Sequence, residues 1–126
     1  MSFWPLSLGE KIVIILIGAE ASVVMVNYNK MFGFIRPPSK SPLCDLTGGK
    51  DIFFHFDECS MPRIKYGRVV SRKCTEEEIL YITSLVQYDE ILHFNVSINR
   101  GGRFLAKSWT LKSLWGIKLQ QLDRAN

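Results

Sequence analysis

Apolar and polar positions change rhythm several times along this chain, and each change marks an element. Residues 1–20 form an apolar leader broken early by Pro5 and Gly9. Its 11–17 run is dominated by β-branched residues, which favours a strand. A short helix capped by Ser7 is the alternative, because periodicity does not separate the two in a continuous apolar run. From Ser22 to Ile35, two β-rich runs flank Asn27-Tyr28-Asn29-Lys30, the pattern of a hairpin. Residues 36–50, with Pro37, Pro38, Pro42, Gly48 and Gly49, read as an exposed loop. Residues 51–56 form a compact aromatic strand.

Between Cys59 and Tyr88 the character changes. Thr75-Glu76-Glu77-Glu78 has the form of a helix start: Thr75 caps, Glu78 follows three residues on, and the acids face the positive end of the dipole. Ile79, Leu80, Ile82, Thr83 and Val86 continue at helical spacing, which predicts a helix over 76–87. Residues 91–98 alternate, Asn99-Arg100-Gly101-Gly102 is a strong turn signal, and 103–111 returns as a strand. The tail has room for one short helix around 114–122. The chain thus divides into an apolar extension, 1–20, packed on the body, the body itself, 21–112, and a C-terminal extension, 113–126. An insertion at 60–88 interrupts the body and carries the helix.

Composition narrows the class. The 126 residues suit one domain, and 47% hydrophobic with 22% charged residues is globular rather than disordered. A net charge of +4 supports a phosphate-bearing partner without proving one. Cys44, Cys59 and Cys74 are odd in number and lack the close spacing of a zinc knuckle or redox pair, so free thiols in a reducing, cytoplasmic compartment are expected. Neither His55 nor His93 joins them at ligand spacing, and no metal or other cofactor is expected. The run 12–19 is too short to span a bilayer, and no membrane partner is expected. Ala19-Glu20-Ala21 imitates a signal-peptide cleavage site, but no positive charge precedes Lys11.

The chemistry concentrates in two segments. In Lys30-Met31-Phe32-Gly33-Phe34-Ile35, alternation points Phe32 and Phe34 to one face of a strand, and Gly33 leaves the opposite face bare. In Asp51-Ile52-Phe53-Phe54-His55-Phe56, Phe53 and His55 share a face while Ile52, Phe54 and Phe56 take the other. If the strands are neighbours, flat rings cluster beside Lys30. Such a platform holds bases whatever their identity, at about 1–3 kcal/mol per stacked base. A duplex hides those faces, so the ligand is single-stranded. Lys30, Lys50 and Arg36 are the cations for its phosphates. An isolated Phe-x-Phe pair, by contrast, is ordinarily core.

The order of these segments resembles the cold-shock domain family. Residues 21–35 are similar to its opening, where Gly-Thr-Val-Lys-Trp-Phe-Asn runs into Lys-Gly-Phe-Gly-Phe-Ile. Residues 51–56 resemble its second motif, Asp-Val-Phe-Val-His-Phe. Leu92-His93-Phe94-Asn95-Val96 looks like its fourth strand, and Phe104-Leu105-Ala106-Lys107-Ser108-Trp109 like its last. About half the chain is covered. The resemblance implies a mainly β fold, a five-stranded oligonucleotide-binding barrel with a helix inserted between strands 3 and 4, and terminal extensions. By motif position it implies stacking by Phe32, Phe34, Phe53, His55 and Phe56. Asn27 and Lys30 would contact backbone or base, and Asp51 would accept from a base edge. Alternation alone sets Phe56 opposite Phe53, so a strand bend would be needed to bring it to the surface. Met25 stands where the family has tryptophan, Val26 where it has phenylalanine, and Met31 where it has glycine.

The expected function is binding of single-stranded RNA, or single-stranded DNA, of RNA-chaperone or regulatory type. The alternative is a barrel kept as a scaffold for a protein partner or homodimer, through residues 11–17 or the inserted helix. No nucleophile with a supporting base, phosphate loop or partnered carboxylate pair is present, so an enzyme is not expected.

Overall fold

The computed structural model describes residues 13–125. The Pro5 and Gly9 breaks, the Ser7 cap and the first two residues of the 11–17 run lie outside them. The fold is mainly β and is built on a closed five-stranded barrel, the architecture that the resemblance implied. Its strands are β1 (Val13–Asn27), β2 (Phe32–Arg36), β3 (Ile52–His55), β6 (Ile91–Ile98) and β7 (Phe104–Leu111), in the cyclic order β1-β2-β3-β7-β6. All neighbours are antiparallel except β3 and β7. Around it lie α1 (Pro42–Thr47), the hairpin β4 (Ser60–Lys65) and β5 (Arg68–Lys73), α2 (Glu76–Leu85) and α3 (Lys112–Ala125).

β1 is one strand of 15 residues, so the expected boundary at residue 20 falls inside it. Its first half pairs with β6, Val13 opposite Ile98 and Ala21 opposite Leu92, and its second half pairs with β2. The β-branched run around Ile14 and Leu16 is therefore a paired part of the barrel wall within this chain. Three irregularities in register bend the strand. Gly18, at φ +79, sits at one of them and donates its N–H to Asn95 Oδ1 at 3.1 Å. Another lies between Ile14 and Leu16, and the third between Val23 and Met25. Ala19, Ala21 and Val23 face the core, and the extra residue Val24 reverses the parity, so Met25 emerges on the outside.

A further bulge closes the other side. β6 and β7 slip register between His93 and Asn95, where Ser108 of β7 has φ +51. Ala106 points inward before the slip, and Trp109 and Leu111 after it. Trp109 is fully buried, packs edge-on against Phe54 at 5.2 Å, and donates its indole N–H to the His55 carbonyl at 2.8 Å. Phe54, Phe94, Ile35, Ile52, Leu92, Val23 and Val96 complete a continuous interior.

The expected exposed loop at 36–50 contains a helical turn. Pro42 occupies its first position, where a missing N–H costs nothing. Ser41 accepts the Cys44 N–H at 3.0 Å, and Gly48, at φ +66, ends it. Prolines counted as breakers here also serve as a start. The hairpin β4–β5 is a second element that the sequence does not announce, since its turn is Tyr66-Gly67 rather than Asn-Gly.

The predicted helix is present as α2, with the full capping box: Thr75 Oγ accepts from the Glu78 N–H, and Glu78 Oε1 accepts from the Thr75 N–H at 2.9 Å. Ile82 and Val86 are buried beneath it, α2 packs on the turn Phe56–Glu58, and the Tyr28 hydroxyl donates to the Val86 carbonyl. Among the described residues, no helix is long and apolar enough to cross a membrane.

Two predictions concern this framework. The Arg72 guanidinium, first, and the Thr75 N–H hold the Glu78 carboxyl down from the ordinary 4.5 to about 2. A depressed folded-state value contributes stability above the ordinary pKa and loses it as pH falls through the folded one. Amide protection in α2 should therefore decline between pH 4.5 and about 2, with a flatter profile for Glu78→Gln. The second concerns Met31, which holds φ +61 in the β1–β2 turn. Met31→Gly should stabilise by about 1 kcal/mol in urea unfolding, because only glycine enters that region without Cβ strain.

Candidate nucleic-acid interface

The outward faces of β1, β2, β3 and β7 meet in register. Met25 lies opposite Phe34, Phe34 opposite Phe53, and Phe53 opposite Leu105, giving one row across four strands. A second row runs Asn27, Phe32, His55. Directly opposed residues on one face are near enough for their side chains to pack. Phe32 stacks on Phe53 at 5.5 Å between centroids, and Phe34 meets them edge-on at 6.0 Å and 5.8 Å. All three rings are partly exposed. Each offers some edge or face to whatever lies above.

The platform exists because its underside is filled. A Cβ on Gly33 would stand 2.4 Å from the Met25 carbonyl oxygen and 2.6 Å from the Phe54 ring. The bare glycine lets Phe54 press against β2 from inside, and the strand curls with Phe32 and Phe34 outward.

His55 is positioned by its neighbour. Its Nδ1 accepts the Asp57 N–H at 3.0 Å, so a neutral ring carries its proton on Nε2. Asn27 Oδ1 accepts the Lys30 N–H at 3.0 Å and closes the turn, with the Lys30 side chain exposed beside it. Lys50 is exposed just before β3. Asp51 is engaged within the chain: both its oxygens accept from Arg36, at 3.0 Å and 3.2 Å, and this bond raises the Arg36 pKa above its ordinary value.

Phe56 requires a correction. It is only 3% exposed and belongs to the core, stacked on Phe54 at 6.2 Å with Tyr28 edge-on at 6.1 Å. Strand parity already points it inward. The chain turns into a 3-10 helix at that residue, and α2 packs against this turn. The bend does not return the ring to the surface.

One further cation, which no sequence motif marks, joins this face. The Arg103 guanidinium lies 4.9 Å from the Phe53 centroid and 6.0 Å from that of Phe34, within cation–π range of both. Arg103, Leu105 and Lys107 alternate along β7, and this period was the available signal. Lys107 pairs with Glu58 at 3.3 Å. Phe53, His55, Leu105 and Lys107 line a hollow together with Asp57, Glu58 and Ala106.

Two other clusters lie away from this face. Glu20 bridges His93 Nδ1 at 3.1 Å and Lys112 Nζ at 3.3 Å, and His93 stacks on Trp115 at 4.0 Å. Burial raises the Glu20 pKa, but the bonds from His93 and Lys112 outweigh it and the net shift is downward. These contacts fasten α3 to β6 and β1. Cys59 and Cys74 are buried thiols, and burial pushes both upward. Among the described residues, no three His, Cys, Asp or Glu side chains are grouped to hold a metal.

Comparison of the chain with known sequence families, curated proteins and solved structures returns no match. Gly33→Ala should test the underside of the platform. It is expected to lose about 3 kcal/mol in urea unfolding, because backbone and ring would both have to move.

Proposed function

We propose that this chain binds single-stranded nucleic acid, RNA in preference to DNA, as a divergent member of the cold-shock domain family acting without chemistry or cofactor. The observation that carries this reading is the row Met25–Phe34–Phe53 with Phe32 and His55 beside it, capped by Arg103. Exposed rings on a curved sheet have no core to fill, whereas unpaired bases present flat apolar faces of the right chemistry. Arg103, Lys30 and Lys50 stand at the margins, where a backbone threading over the rings brings its phosphates. The three free thiols suit a reducing cytoplasm.

Met25 covers a base with less contact than the tryptophan it replaces and with no π face, and the loss of Phe56 removes another ring. Affinity from the platform alone is therefore lower than in a barrel with the full set.

A second reading is favoured by one observation. Leu80, Tyr81 and Leu85 of α2, with Tyr88 just beyond, are exposed, and such a patch on an inserted helix suits a protein partner. The two readings separate on a labelled oligouridine titrated at several salt concentrations. The parent should bind with a measurable salt slope. Phe34→Ala and Phe53→Ala should each lose roughly 1–3 kcal/mol with the fold intact. Arg103→Ala should lose about 1 kcal/mol. Parent-like binding by both phenylalanine variants would sink the stacking platform.

A further inference from the structure

The hairpin β4–β5 has no role in the platform, yet its chemistry is one-sided. From Cys59 to Cys74 the chain carries Arg63, Lys65, Arg68, Arg72 and Lys73, and no Asp or Glu. The register sets Met61 opposite Arg72, Arg63 opposite Val70, and Lys65 opposite Arg68. Opposed residues share a face, so Arg63, Lys65, Arg68 and Arg72 lie on one side of the ribbon. Ser60, Pro62 and Ile64 lie on the other side. Ser60 and Pro62 are buried, and the Ser60 hydroxyl donates to the Ser108 carbonyl at 2.8 Å. Arg72 pairs with Glu78 at 2.6 Å. Among the described residues, Arg63, Lys65 and Arg68 have no carboxylate partner, and all three are exposed.

The tip adds a second anomaly. Tyr66 and Gly67 form the turn at φ +54 and +74, and Tyr66 is 86% exposed. An asparagine or glycine would relieve its backbone, and its ring contributes nothing to the core. Lys65 Nζ lies over the ring, 5.2 Å from its centroid. Solvent-facing cations with an open ring at their end repeat the pairing of Arg103 with Phe53. The hairpin also springs from the platform's border. It begins just after β3, and Cys59 bridges to Trp109 alongside β7, near Lys107.

We propose that the β4–β5 hairpin is a second nucleic-acid contact. Its basic face holds the sugar–phosphate backbone of a single strand running off the platform, and Tyr66 stacks on a base beyond it. This extension rests on the single-strand reading of the platform. Only Met61 and Val70 interrupt the cations, which is too little apolar surface for insertion into a lipid layer. A flat ribbon of exposed charge suits a polyanion.

The test uses the full chain and oligouridines of about six and about sixteen nucleotides, the shorter sized for the platform alone. The triple variant Arg63→Ser, Lys65→Ser, Arg68→Ser should bind the short oligomer like the parent and the long one roughly tenfold more weakly. Its slope of log affinity against log salt on the long oligomer should fall by about 2, near 0.7 per lost phosphate contact. An unchanged far-UV circular dichroism spectrum and urea midpoint establish that the variant is folded. If the triple variant matches the parent on the long oligomer in affinity and slope, the hairpin proposal is wrong, while loss by Phe34→Ala on both oligomers leaves the platform standing. If Phe34→Ala binds like the parent but the triple variant still weakens on the long oligomer, the platform reading fails and the hairpin alone is the contact. A parent that binds neither oligomer overturns both.

Discussion

Between β1, β2 and β3 there is a place where no side chain fits. Phe54 lies so close beneath Gly33, and the Met25 carbonyl so close beside it, that a single methyl carbon would stand 2.4 Å from one and 2.6 Å from the other. This contact curls β2 tightly enough for a barrel of only five strands to close. It also divides the aromatic residues between two environments. Phe54, Phe56 and Trp109 go inward and supply the core, while Phe32, Phe34 and Phe53 stay outside, partly exposed, with the Arg103 guanidinium over Phe53 and Phe34. The core and the candidate interface are opposite sides of the same three strands. A change in one is transmitted to the other with no loop to absorb it.

Barrel strands and α2 are legible in the sequence because their signals are local. Residues 91–98 alternate and are β6, and the capping box at Thr75 is satisfied in α2. The outward set Phe32, Phe34, Phe53 and His55 follows from parity alone. Less legible is anything that depends on a bulge. Met25 reaches the outer face only because Val24 is an extra residue, and Trp109 turns inward only after the slip at Ser108. Neither slip has a glycine to announce it. Arg103 is hidden for another reason: its partner rings come from strands 50 and more residues earlier, joined through a parallel pairing that no turn reveals.

Phe56 shows how two kinds of inference divide. Motif position sets it among the stacking rings, and strand parity sets it in the core. The physical periodicity prevails because α2 packs against the turn that begins at Phe56. The insertion thus does more than decorate the barrel. Tyr28, bonded to Val86 and edge-on to Phe56, ties the β1–β2 turn to the end of the inserted helix. The turn that carries Lys30 is held by a segment outside the barrel.

Gly18 bonds to Asn95, 77 residues further along the chain, and the whole first half of β1 waits for β6 before its edge is covered. On a ribosome, β2, β3 and the β4–β5 hairpin can emerge and pair while that half of β1 still presents unpaired backbone and β-branched side chains. Pairings so distant in sequence form slowly, because the loop between them must be closed first. Until β6 arrives, Val13–Leu16 is an unpaired, β-branched edge open to non-native pairing.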